Sequence, residues 1–239
     1  MSCHCCTAFS RWIIDYFQFE LNSDEAYQRI ESEASHTQPA DRRDYWDQIS
    51  VEPTTAPALV AFANSKFDTD KQKRALILGR VYNFSVVYLL KLEWKVTAID
   101  SSVKALEKLQ NLCNISQLGE LGDNLMPIHG TIEEHAFPQK VDLIFAYESL
   151  SYSDPRKFKR VWKRAHEALN AGGRIVGNFR LKPASASEEN AERTLKGAWY
   201  VTKPCVEALL KDLGYVVERC EQEESYTSPT HINFIARKV

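Results

Sequence analysis

Residues 74–102 read RALILGRVYNFSVVYLLKLEWKVTAIDSS. The aliphatic run Ala75, Leu76, Ile77, Leu78 is too short for a helix and is closed by Gly79, which predicts a buried strand. Residues 84–92 follow as a helix, and residues 95–99 as a second strand ending on Asp100. A strand, a helical crossover and a second strand in succession predict parallel pairing, because parallel neighbours need a long connection.

The same alternation continues downstream. Residues 102–113 predict a helix with Val103, Leu106 and Leu109 inward, residues 125–128 a third strand, and residues 141–146 a fourth. Phe158, Val161, Trp162, Ala165 and Leu169 repeat at the helical period across 155–169, leaving a basic outer face of Arg156, Lys157, Lys159, Arg160, Lys163 and Arg164 that reads as solvated. Asn170 to Gly173 predicts a tight turn into a fifth strand over 174–179. A Ser-, Ala- and Glu-rich loop of lid length, 183–196, precedes a helix over 202–213 that Gly214 stops. Residues 215–220 and 231–236 close the chain as two strands without a helix between them. The predicted fold class is α/β, a doubly wound, seven-stranded, mostly parallel sheet with an N-terminal helical extension.

Residues 1–66 differ in character and predict a helical cap or lid on an α/β domain over 67–239. Two short helices fit residues 8–32, and a third segment begins near Asp44, where Tyr45 and Trp46 offer an aromatic pair to close over a pocket. Residues 1–52 carry net charge −6 and the remainder +4, the pattern of a solvated acidic cap. Over all 239 residues the net charge is −2, so nucleic acid is not an expected partner. No apolar run approaches the ~20 residues of a spanning helix. Only nine glycines occur and Gly79 is the first of them, which excludes a glycine-rich phosphate cradle near the N-terminus.

Cys3, Cys5 and Cys6 crowd the N-terminus while Cys113, Cys205 and Cys220 are scattered, which is not a disulfide framework. With no secretory signal pattern, the expected compartment is the cytoplasm. The N-terminal cluster is too tightly spaced for a tetrahedral metal site, and the histidines show no paired ligand spacing, so no metal is expected. S-acylation of the cluster and membrane contact through Phe9, Trp12 and Ile13 is an alternative to a simple tail leading into a packed helix.

The segments LILGRVYNFSVVYLL, WKVTAIDSSVKALEKL, VDLIFAYESL and HEALNAGGRIV together resemble a class I S-adenosylmethionine-dependent methyltransferase of the small-molecule or tellurite-resistance type, from about Arg74 to the C-terminus. The resemblance implies S-adenosylmethionine as cofactor, held by Gly79, Asp100, Ser101, Thr131 and Ile132. It also implies that Glu148 and Tyr147, after the fourth strand, face the transferred methyl, with Glu148 as base or amine-recognition group and Tyr152 as a further pocket aromatic. Asp100 has independent support, since a carboxylate at the end of the second strand lies beside the crevice at a ribose diol's reach. The same carboxylate suits an N-cap for the next helix, and the two roles are compatible.

The sequence departs from that family at the first loop. Aligned on Gly79, the family's second and third glycines fall on Val81 and Asn83, and Ile77 stands where an acid is usual. A β-branched Val resists φ > 0, so the loop takes another path, fills part of the methionine pocket, or binds the cofactor weakly. The resemblance therefore implies a methyltransferase acting on a small molecule or a protein side chain. The alternative is a catalytically inactive methyltransferase-like binding or regulatory protein that has lost cofactor binding.

Overall fold

A strand of Ala, Leu and Ile survives burial on both faces only at the centre of a sheet. β1 (Arg74–Leu78) occupies that position in a computed structural model that describes residues 22–32, 63–67, 71–181, 198–223 and 231–239. The other strands are β2 (Lys95–Asp100), β3 (Leu125–His129), β4 (Val141–Ala146), β5 (Leu169–Arg180), β6 (Tyr215–Glu223) and β7 (His231–Lys238), in the order β3-β2-β1-β4-β5-β7-β6. β1 to β5 are parallel, and β7 lies antiparallel between β5 and β6. The doubly wound seven-stranded sheet is thus present, and the strand order reverses between β1 and β4. Such a reversal opens a crevice at the strands' carboxyl ends.

Helices cover both faces. α2 (Phe84–Lys91) and α3 (Val103–Ile115) pack with Val86, Leu89, Leu90 and Leu109 against Ile77, Val96, Phe145 and Val176. On the opposite face α1 (Ser23–Ser32), α4 (Pro155–Ala168) and α5 (Lys203–Asp212) enclose Trp162, whose indole donates to the Leu209 carbonyl at 3.2 Å. Each such fully buried large side chain contributes about 1.5–3 kcal/mol. α1 and residues 63–66 are the described parts of the expected N-terminal cap. In α1, Ala26, Tyr27 and Ile30 are buried, and Asp24 pairs with Lys159 at 3.2 Å. The cysteine cluster, the segment around Tyr45 and Trp46, and the 183–196 loop lie outside the described residues. No helix among the described residues is long and apolar enough to cross a membrane.

Three expectations change. Val103, expected to face inward, is exposed, and Leu109, Leu112 and Cys113 carry the buried face of α3. The turn predicted at Asn170 to Gly173 is an irregularity inside β5, because Leu169 already pairs with Val141 while Arg174 pairs with Leu143. The Asp142 carboxylate steadies it, accepting from Asn170 Nδ2 at 2.8 Å and from the Arg74 amide at 2.9 Å. The basic face of α4 is also not uniformly solvated. Arg164 donates to the carbonyls of His135 at 2.8 Å and Ile132 at 2.6 Å and stacks on Phe137, so it clasps the connection after β3.

Candidate active site

At the carboxyl ends of β1, β2, β3 and β4 lies a cavity of about 230 Å³. The chain approaches itself closely here. Gly79 has φ +64°, and a Cβ there would stand 2.8 Å from the Ser149 Cβ, so only glycine fits between β1 and the segment after β4. Gly130 is similar at φ +156°: a Cβ would run into the His135 ring, whose Nε2 meets the His129 carbonyl at 3.0 Å.

Asp100 forms the floor beside β2. One carboxylate oxygen accepts from the Val81 amide at 3.1 Å and the other from the Ser102 amide at 2.9 Å, while Ser102 caps α3 through the Ala105 amide at 3.1 Å. Asp100 therefore ties the β1–α2 loop to the β2–α3 loop.

The β1–α2 loop follows a path of its own. Positive φ falls on Gly79 and Arg80, at 64° and 41°, and Asn83 is extended at −150°. Val81 is fully buried against the α2–α3 side of the sheet, and the Asn83 side-chain oxygen accepts from the amides of Ser85 at 2.9 Å and Val86 at 3.3 Å. Val81 and Asn83 are thus a core anchor and an N-cap. Tyr82, between them, lines the cavity.

Across the cavity Glu148 sits at φ 51° and its carboxylate pairs with Arg80 at 2.6 Å. Both partners therefore hold a backbone conformation that side chains other than glycine rarely adopt, at a cost of about 1–3 kcal/mol each. The surroundings enforce it on Glu148, because its amide donates to Asn178 Oδ1 at 2.6 Å. Ser149, 9% exposed, has a buried hydroxyl with no hydrogen-bond partner at the same wall. Tyr152 also lines the cavity. Burial pushes its phenol up to about 12, with Arg180 opposing the rise and Glu148 adding to it.

Asp154 caps α4. Burial alone would raise its carboxyl, yet hydrogen bonds from the Arg156 side chain and amide leave it below its ordinary value. Its own amide donates to Glu133 at 2.5 Å, another cavity residue.

Of the residues singled out from sequence, Gly79, Asp100, Ser101, Thr131, Ile132, Glu148 and Tyr152 all line this one cavity. Tyr147 does not. Its ring stacks on Phe145 with centroids 6.0 Å apart and packs against the α2–α3 side of the sheet, because residues alternate between faces along the strand exit. Sequence reasoning missed Arg80 and Glu133. Arg80 had one available signal, a cation directly after the strand-ending glycine; Glu133 had none.

The pattern of residues 82–173 matches the family model described as a methyltransferase domain. No curated protein matches the chain in sequence. Among solved structures, magnesium protoporphyrin IX methyltransferase from Synechocystis PCC 6803, with bound S-adenosylhomocysteine, superposes with a TM-score of 0.61 at 13% identity, over 98% of this chain and 95% of that one. TehB from Haemophilus influenzae gives 0.62 at 15% identity, over 82% and 67%. A Nostoc punctiforme protein assigned to the O-methyltransferases gives 0.55 at 14% identity, with 77% of this chain spanning 56% of that longer one.

Proposed function

We propose that the chain binds S-adenosylmethionine in this cavity and methylates a small molecule or a protein side chain, a reading supported by the match of residues 82–173 to a methyltransferase-domain model and by a fold shared with a structure that holds S-adenosylhomocysteine. The observation that carries the proposal is the gathering of Gly79, Asp100, Ser101, Thr131 and Ile132 around one cleft at the switch point of the sheet. The residues fit the cofactor's parts. Asp100 presents a carboxylate at the cavity wall where a ribose diol would lie, Ser101 and Thr131 offer hydroxyls, and Ile132 offers an apolar contact for the adenine ring. Arg80 and Glu148 match the carboxylate and ammonium of a methionyl group, and the unpartnered Ser149 hydroxyl adds a donor beside them.

When bound, S-adenosylmethionine supplies an electrophilic methyl on a sulfonium. The protein's task is then to position the acceptor, exclude water, and take a proton if the acceptor carries one. Glu148 is the candidate base, released from Arg80 when that cation turns to another anion. Tyr152, neutral at physiological pH, stands where an aromatic wall contacts the acceptor.

A second reading has its own observation. The Arg80–Glu148 pair joins two cavity walls, and Val81 and Asn83 are committed to core and cap, as in a protein that has given up the cofactor. Calorimetric titration of the full chain with S-adenosylmethionine and S-adenosylhomocysteine separates the two. Micromolar binding, about −8 kcal/mol, is the expected result. No heat up to millimolar cofactor, from a folded protein, overturns the methyltransferase proposal in favour of the inactive one.

A further inference from the structure

Residues 174, 176, 178 and 180 of β5 share one face, since side chains alternate along a strand. Two of them are buried arginines, and their circumstances differ. Arg174, 6% exposed, places Nε and Nη2 on the Glu218 carboxylate, each at 2.8 Å, so its charge is neutralised. Arg180, 4% exposed, has no such partner among the described residues: its Nε and Nη1 are buried with no hydrogen bond. Its guanidinium lies over the Tyr152 ring at 5.3 Å and donates to that phenol, while its backbone amide donates to the Ser151 hydroxyl at 2.8 Å. No carboxylate is among its partners within the described residues. A guanidinium does not shed its proton, so the charge stays, and a buried charge without a counterion is costly.

Asn178, 1% exposed, stands beside it on the same face. Its Oδ1 is fixed by the Glu148 amide, which settles the orientation of the side-chain amide and leaves Nδ2 buried with no partner. Every unmet group on these two side chains is a donor, and one of them is cationic. That combination asks for an oxyanion and would repel a cation. A single positive charge balances a monoanion better than a phosphate dianion. Neither side chain lines the cavity itself, but each touches a residue that does: Asn178 accepts from the Glu148 amide, and the Arg180 guanidinium lies over the Tyr152 ring.

We infer that Arg180 and Asn178 form an anion subsite of the acceptor pocket, and that the methyl acceptor carries a carboxylate. The inference rests on the methyltransferase reading for the word acceptor; the carboxylate subsite itself does not need the cofactor.

The test uses the full chain and paired probes of equal shape: acetate and acetamide, benzoate and benzamide, phenylacetate and phenylacetamide, titrated with and without S-adenosylhomocysteine. The expected result is at least one carboxylate binding tenfold or more tighter than its amide in the parent, with the preference lost in Arg180→Met and partly kept in Arg180→Lys. Arg180→Lys retains the charge and serves as the readout if Arg180→Met fails to fold, its preference then falling below the parent's. Equal binding of every acid and amide overturns the inference. So does a preference that both variants retain in full, since the anion then sits on surface lysines, and so does phosphate binding more tightly than any carboxylate. The cofactor titration in the same series keeps the two proposals apart. A carboxylate preference without S-adenosylhomocysteine binding leaves the subsite standing and removes the methyltransferase reading; cofactor binding without any preference does the reverse.

Discussion

The two ends of the cavity are built on different principles. At the β2 end, the Asp100 carboxylate is held by two backbone amides, from Val81 and Ser102, on ordinary backbone geometry. At the β1–β4 end, Arg80 and Glu148 face each other as an ion pair, both at positive φ. The first end is rigid because backbone donors have nowhere else to go. The second is poised, because a pair of opposite charges on strained backbone exchanges partners when a zwitterion of matching polarity arrives. Between them the β1–α2 loop is anchored in the core by Val81 and capped by Asn83.

The sharpest way to break this comparison is to place glycine at both Val81 and Asn83. Val81→Gly with Asn83→Gly removes a fully buried side chain and an N-cap, and is expected to destabilise the protein by about 3–5 kcal/mol in denaturant unfolding. A variant as stable as the parent would show that these residues are not committed to core and cap. Asp100→Ala comes next. Two buried amides lose their acceptor, at about 2–3 kcal/mol in total, and cofactor affinity falls with them. Unchanged S-adenosylhomocysteine affinity in that variant would remove the ribose role.

Gly79→Ala tests the close approach between the two ends. The added methyl meets the Ser149 Cβ at a left-handed φ, with an expected loss of about 1–2 kcal/mol that Ser149→Gly partly restores. Additive losses in the double variant would place the strain elsewhere.

The smallest effect concerns pH and lies away from the cavity. Burial holds His166 below its ordinary value, Lys238 adding to the depression and Glu167 opposing it. The unfolded chain therefore binds a proton that the folded one refuses as pH falls below the ordinary histidine value, so this group withdraws stability on acidification and not on alkalinisation. His166→Gln is expected to flatten the decline in melting temperature between neutral pH and about pH 5.5. An unchanged slope would sink that assignment.

Most of the fold was legible in residues 74–179, because alternating aliphatic runs and helical stripes each admit one burial solution. Asp100, Thr131 and Glu148 were legible for the same reason: strand-end positions follow from strand boundaries. Tyr147 and Arg164 were not. Whether a side chain just past a strand faces the cleft or the core turns on the backbone twist at that residue. Whether a basic residue on a helix is solvated turns on which carbonyls of a distant loop end nearby. The loop path was half legible: Val81 could not take the glycine's conformation, yet only the assembled core showed where it went.

By itself, the order of apolar runs along this chain determined a doubly wound sheet and the strand ends from which a site is made, since hydrophobic periodicity is a local property. The pairing of Arg80 with Glu148, the burial of Arg180 without a carboxylate partner among the described residues beside the neutralised Arg174, and the turning away of Tyr147 belong to the tertiary structure. They depend on which charges and rings meet across elements tens of residues apart, and a one-dimensional pattern carries no information about such meetings.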